Sequence, residues 1–191
     1  MIVVFGGSFN PPTIAHYEVA KHVTKRTDVS ELLFMPVGDH YEKAGLVPAF
    51  HRLNMLAVLI EKLPKTSIST VEIQAERALK TIETLEHIQR LYPEEEVAFV
   101  MGADNLYDFP NWSAYQRLLQ TFKLMVFNRQ NLDVERFIKE NFLDYQESFL
   151  IVDDFGSLDV SSTQYRTNRS QSKILLPEVE TYIRTHGLYG N

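Results

Sequence analysis

Cysteine is absent from the chain, which excludes disulfide bridges, thiol nucleophiles and thiolate metal sites. No apolar run approaches the roughly 18 residues that a membrane-crossing helix needs. The first residues show no basic stretch ahead of an apolar core, as a secretory leader would. Positive charge is also scarce: 19 Lys and Arg stand against 25 Asp and Glu, a formal net charge of -6. Bulk nucleic-acid binding needs the opposite field, so neither nucleic acid nor a membrane is an expected partner, and the expected location is the cytoplasm. Any phosphate site has to be assembled from a few local charges. No grouping of Asp and Glu advertises a protein-built metal cage, and neither an internal repeat nor a low-complexity segment stands out.

What is present suits one α/β domain. The 191 residues are 45% hydrophobic and 23% charged, enough to bury a core without staples. Apolar runs at Ile2–Phe5, Glu31–Val37, Ser67–Ile73, Val97–Met101, Leu124–Phe127 and Phe149–Val152 read as strands. Between them lie helical spacings, from Ile14 to Val23, Phe50 to Leu63, Thr81 to Tyr92, from Ser113, and Val134 to Phe142. Two short helices near 162–170 and 178–186 end the chain, the last bracketed by Pro177 and Gly187 as N1 and C′ residues. Such alternation predicts a doubly wound, mainly parallel sheet of Rossmann-like form with a small C-terminal helical part, about 160–191. Ligands in such folds bind at the carboxyl ends of the strands. Gly6-Gly7, Val37-Gly38 and Met101-Gly102 punctuate those ends.

The stretch after the first strand is Gly6-Gly7-Ser8-Phe9-Asn10-Pro11-Pro12-Thr13-Ile14-Ala15-His16. The prolines force a turn, Thr13 suits an N-cap, and His16 falls in the first helical turn. Glycines that let backbone approach a ligand, followed by a helix start, make a phosphate-binding architecture. Three further groupings follow. The loop from Gly38 to Pro48 carries Asp39, His40 and Lys43, a cation in a glycine-bearing loop, and His51-Arg52 lies just beyond. Gly102-Ala103-Asp104 at the fourth strand's end is followed by Pro110-Asn111-Trp112, where the single Trp sits in a polar loop and suits a stacking platform. Ser161-Ser162-Thr163 caps a helix that places Arg166 on the face of Ser162, a second anion site.

Together these motifs resemble the nucleotidyltransferase superfamily, and within it the nicotinate/nicotinamide mononucleotide adenylyltransferases. The family's first motif is Gly-x-Phe-Asp/Asn-Pro-x-His/Thr-x-Gly-His; this chain departs from it at Ala15, where a methyl group replaces the usual glycine. The other matches are the 36–43 loop, Gly102-Ala103-Asp104 with Trp112, Ser-Ser-Thr-x-x-Arg at 161–166, and the tail at 176–189. The resemblance implies ATP binding by Gly7, Ser8, Phe9, Thr13, His16, Gly102, Asp104, Ser162, Thr163 and Arg166. It implies mononucleotide binding by Ser8, Lys43, Lys80, Thr81 and Trp112. Catalysis would fall to Thr13, His16, Lys43 and Arg166, with Mg2+ carried by the ATP phosphates and a dinucleotide, NAD or its deamido form, as product. Acid-selective members carry Tyr-Thr where this chain has Lys80-Thr81, whereas its 36–43 loop looks like that of members accepting acid and amide alike. A phosphopantetheine adenylyltransferase, a cytidylyltransferase or a non-catalytic nucleotide sensor stay open as alternatives, and so does a homo-oligomer.

Overall fold

The computed structural model describes residues 1–128, 132–153, 155, 160–167 and 174–190. Its centre is β1 (Ile2–Gly7), flanked by β2 (Glu31–Pro36) and β4 (Val97–Gly102). With β3 (Thr66–Ile68), β5 (Lys123–Phe127) and β6 (Phe149–Val152) they form one parallel sheet of six strands, in the order β3-β2-β1-β4-β5-β6. The doubly wound α/β expectation is met. Gly7 pairs with Pro36, and Ile2 pairs with Val97. Continued along the strands, the second offset puts Gly7 level with Gly102. The three punctuated strand ends therefore lie on one edge, at the point where strand order reverses.

Both faces of the sheet are apolar because both are covered by helices. Alternate residues point to opposite sides, and the burial follows that period. Val3, Leu32, Phe34, Ala98, Val100 and Met125 pack with α1 (Ile14–Thr24), α2 (Ala49–Ile60) and α9 (Pro177–Thr185). Ile2, Val4, Leu33, Met35, Val97 and Val126 pack with α4 (Thr81–Leu91), α6 (Tyr115–Thr121) and α7 (Val134–Asn141). Each such aliphatic side chain withdrawn from water contributes about 1.5–3 kcal/mol. That burial, rather than any staple, holds the strand ends level.

Several boundaries differ from the sequence reading. The predicted strand Ser67–Ile73 is half strand: β3 stops at Ile68 and Val71–Gln74 forms a helical turn, α3. The Thr70 carbonyl accepts the Gln74 N–H, so the chain turns into a helix although β2 runs on to Pro36. The helix expected from Ser113 begins at Tyr115, because Ala114 adopts a left-handed conformation with φ 54. Four short elements go beyond that reading, α5 (Ala103–Leu106) and 3-10 turns at Phe109–Asn111, Leu143–Ser148 and Leu188–Gly190. The helix expected near 162–170 is α8 (Ser162–Thr167), and positions 168–170 lie outside the described residues. No helix among the described residues is long and apolar enough to cross a membrane.

Candidate functional site

The turn from β1 into α1 is wound around its own side chains. Phe9 takes φ 45, a region uncommon for a bulky residue. It is held there by burial against Phe5, Phe34 and the His16 ring, whose centroid is 5.1 Å away. Thr13, fully buried, is the N-cap of α1. Its backbone N–H donates to His16 Nδ1 at 2.8 Å, and its Oγ1 lies 2.8 Å from the same nitrogen. A ring nitrogen that accepts a backbone N–H carries no proton, so the imidazole proton sits on Nε2. His16 is thereby locked in one orientation with one defined donor, and the ring lines a cavity at the strand ends.

The loop between β2 and α2 is held by a buried cation. Arg52 is 0% exposed, and its guanidinium donates to the carbonyls of Val37 (2.7 Å), Val47 (2.9 Å) and Ser8 (3.4 Å) and to Asp39 Oδ1 (2.8 Å). Asp39 Oδ1 also accepts the Ala49 N–H that opens α2. The Asp39 carboxylate is itself 57% exposed, so the hold rests on the buried guanidinium and the three carbonyls it serves. Arg52 is therefore a clamp joining both ends of the loop to the β1 turn. At the loop's start, a side chain on Gly38 would place its Cβ 2.3 Å from the Glu72 carbonyl oxygen, so only glycine lets the chain pass. Lys43 reaches back across the gap, and its Nζ donates to Ser8 Oγ at 2.8 Å. Although most of the residue is exposed, partial burial at the ammonium, followed by the nearby Arg166 charge, holds its pKa below the ordinary lysine value.

At the far side, α8 is sewn to the same turn. Ser162 Oγ donates to the Pro11 carbonyl at 2.7 Å, and Arg166 donates to the Asn10 carbonyl and to Thr163 Oγ1. The first and fourth motifs are thus joined by the protein's own hydrogen bonds.

Two cavities open at this edge. The first, about 350 Å³, is lined by Thr13, Ala15, His16, Lys43, Gly102 and Ser161–Thr163 among others. The second, about 750 Å³, is lined by Gly7, Tyr41, Glu72, Lys80, Thr81 and Trp112 among others. They share a wall made of Gly6, Phe99, Asn105 and Trp112. A Cβ on Gly6 would stand 3.0 Å from the Phe99 ring, so glycine keeps this dividing wall thin. Trp112 leans edge-on against Phe99 and Phe109, half core residue and half cavity wall. Its indole is thus fixed before anything stacks on it.

Not every sequence candidate lines these cavities. Ser8, Phe9 and Arg166 stand behind the walls of both, in the contacts described above. Asp104 is exposed and lines neither, while its neighbour Asn105 lines both. The sequence reading had also passed over Glu72. Burial raises its carboxyl pKa, against an opposing hydrogen bond from Thr84 Oγ1 at 2.7 Å. Lys80 caps α4 through its backbone N–H, which donates to Glu83 at 2.8 Å, and the residue lines the second cavity. Among the described residues there is no grouping of three or more His, Asp and Glu able to hold a metal ion.

Residues 4–168 match the family described as Cytidylyltransferase-like. A Caldicellulosiruptor bescii protein named "Probable nicotinate-nucleotide adenylyltransferase" is 32% identical over 195 residues, covering 98% of each chain. The "Nicotinate-nucleotide adenylyltransferase" of Bacillus subtilis is 29% identical, covering 98% of this chain and 97% of its own. Among solved structures, the Plasmodium falciparum nicotinic acid mononucleotide adenylyltransferase complexed with NaAD superposes with a TM-score of 0.81. It is 21% identical, over 98% of this chain and 96% of that one. At that identity the likeness speaks for the fold.

Proposed function

This chain belongs to the Cytidylyltransferase-like family of nucleotidyltransferases, and we propose that it transfers the adenylyl group of MgATP to nicotinate mononucleotide. The product is deamido-NAD, with the amide as a slower acceptor giving NAD. The observation that carries this reading is the pair of cavities meeting at Gly6: one holds the phosphate-binding donors, the other a fixed indole and a lysine. In this reading one domain, 1–191, does the work, and NAD biosynthesis in the cytoplasm is its setting.

The reaction needs no protein nucleophile. A phosphate oxygen of the mononucleotide attacks the α-phosphorus of ATP in line. A new P–O bond forms, the bond to the β-phosphate bridging oxygen breaks, and pyrophosphate leaves with the electron pair. Catalysis is then positioning plus stabilisation of charge on the transferring group. His16, held through Nδ1, offers Nε2–H to an oxygen that gains charge in the transition state. Thr13 fixes that ring. Lys43 supplies a cation from the loop, while Ser162, Thr163 and the start of α8 face the leaving phosphates with Arg166 behind them. Mg2+ enters with ATP and neutralises its phosphates.

The test is to mix the protein with MgATP and each candidate acceptor, following pyrophosphate release and identifying the product by mass. Release with nicotinate mononucleotide, and a dinucleotide product, is expected. Release only with phosphopantetheine would replace the acceptor, and ATP binding without any release would make the chain a sensor.

A further inference from the structure

The motif residue Asn10 has a fully buried side chain that touches no cavity. Its carboxamide joins two segments far apart in sequence. Nδ2 donates to the Gly45 carbonyl at 2.8 Å, and Oδ1 accepts the Val47 N–H at 3.3 Å. Both partners lie in the loop that carries Lys43. Oδ1 also accepts the Tyr189 hydroxyl at 2.8 Å, and Tyr189 belongs to the C-terminal 3-10 turn Leu188–Gly190. The phenol is set for this role by its surroundings. Tyr189 holds a left-handed φ of 59 and its ring meets Tyr165 edge-on at 6.0 Å. Burial pushes the hydroxyl's pKa far above the ordinary phenol value, so it remains a donor throughout the working range.

We propose that Tyr189 is a positioning residue for the transfer reaction: its hydroxyl holds the Asn10 carboxamide, which pins Gly45 and Val47 and so fixes where Lys43 can reach. This rests on the role given to Lys43 above. Gly45 itself has φ 69 and open space around it, so at that residue the carboxamide is the pin, while Val47 beyond it is also held by Arg52 and packs against the core. Without the hydroxyl, Oδ1 keeps only the long bond from Val47. The C-terminal turn would then act on the phosphate cation from the opposite end of the chain.

Tyr189→Phe tests this, because it keeps the ring against Tyr165 and deletes a single donor. The expected outcome is a kcat lower by about tenfold with KM for MgATP changed by less than about twofold, the loss of one buried hydrogen bond read as a rate. In a Lys43→Ala background the same substitution should change kcat by less than about twofold, since coupled residues are non-additive. Equal losses in both backgrounds, or an unchanged kcat, would overturn the proposal. A second readout needs no activity. Trypsin cleavage after Lys43 should speed up about fivefold in Tyr189→Phe, since cleavage tracks local opening, and an unchanged rate would overturn the proposal. Should Lys43→Ala alone retain full turnover, the functional reading of Lys43 fails, and the cleavage rate still decides whether Tyr189 holds the loop.

Discussion

The two cavities that meet at Gly6 are built from different material. The first is made of strand ends and helix starts, β1, β4, α1 and α8, whose positions follow from the core beneath them. The second shares the ends of β1 and β4 and adds the end of β2, α3, the start of α4 and connecting residues at Val37, Tyr41, Ala78–Lys80 and Trp112–Ser113. The difference separates two tasks. In the proposed reaction, phosphate chemistry would fall to groups that the fold itself holds in place, and the choice of acceptor to side chains that can vary without disturbing the sheet. Substitutions on the two sides should therefore fail in different ways, turnover and ATP binding on the first, acceptor preference on the second.

The largest effect is expected on the first side. His16→Ala should lower kcat by about 10²-fold or more, the usual cost of one preorganised donor, while ATP affinity stays within a few-fold. Steady-state kinetics beside ATP titration checks this, and lost affinity with kcat intact would reduce His16 to a binding residue. Next comes Arg166→Ala, which should weaken ATP and pyrophosphate binding by about 1.5–3 kcal/mol, the range for charge-assisted hydrogen bonds. Calorimetric titrations matching those of the unaltered protein would remove Arg166 from the anion site and leave it a brace for the Asn10 carbonyl.

Smaller effects should appear on the second side and in the loop between. The acid should lead the amide in kcat/KM by less than about 10³-fold, or 4 kcal/mol, and Lys80→Ala should shrink that lead by about tenfold. An unchanged ratio would take Lys80 out of acceptor selection. The smallest effect concerns pH. Lys43 attracts phosphate only while protonated, and its pKa lies below the ordinary 10.5. kcat/KM should thus fall on the alkaline side with a midpoint below 10.5. Lys43→Arg should push that limb beyond the accessible range, since guanidinium does not titrate there. A limb that stays put in this variant belongs to another group.

How far this arrangement could be read from the residues varies with distance along the chain. Strand and helix order, the N-cap at Thr13 and the Pro177–Gly187 bracket are local patterns, and they were legible. Ser67–Ile73 reads as one strand from its β-branched residues, yet the chain leaves the sheet after Ile68 and turns into α3 at Val71, a change that those residues do not reveal. Asp104 stands out in the sequence as a carboxylate just past a strand end, but each helical residue rotates the side chain by about 100°, and α5 starting at Ala103 brings Asn105 to both cavities. Arg52 left its role open, since nothing local to it reveals Ser8, Val37, Val47 and Asp39 as partners. The bond from Tyr189 to Asn10 spans 179 positions and has no sequence signal at all.

The thin wall at Gly6 has a consequence for how the product leaves. A dinucleotide laid across it would occupy both cavities at once, each half raising the local concentration of the other, as in any bivalent ligand. Its affinity would then exceed that of either half, with no new contact required. An enzyme so built cannot grip both halves tightly and still turn over. One of the two cavities would therefore have to hold its half weakly, so that the dinucleotide leaves one end at a time.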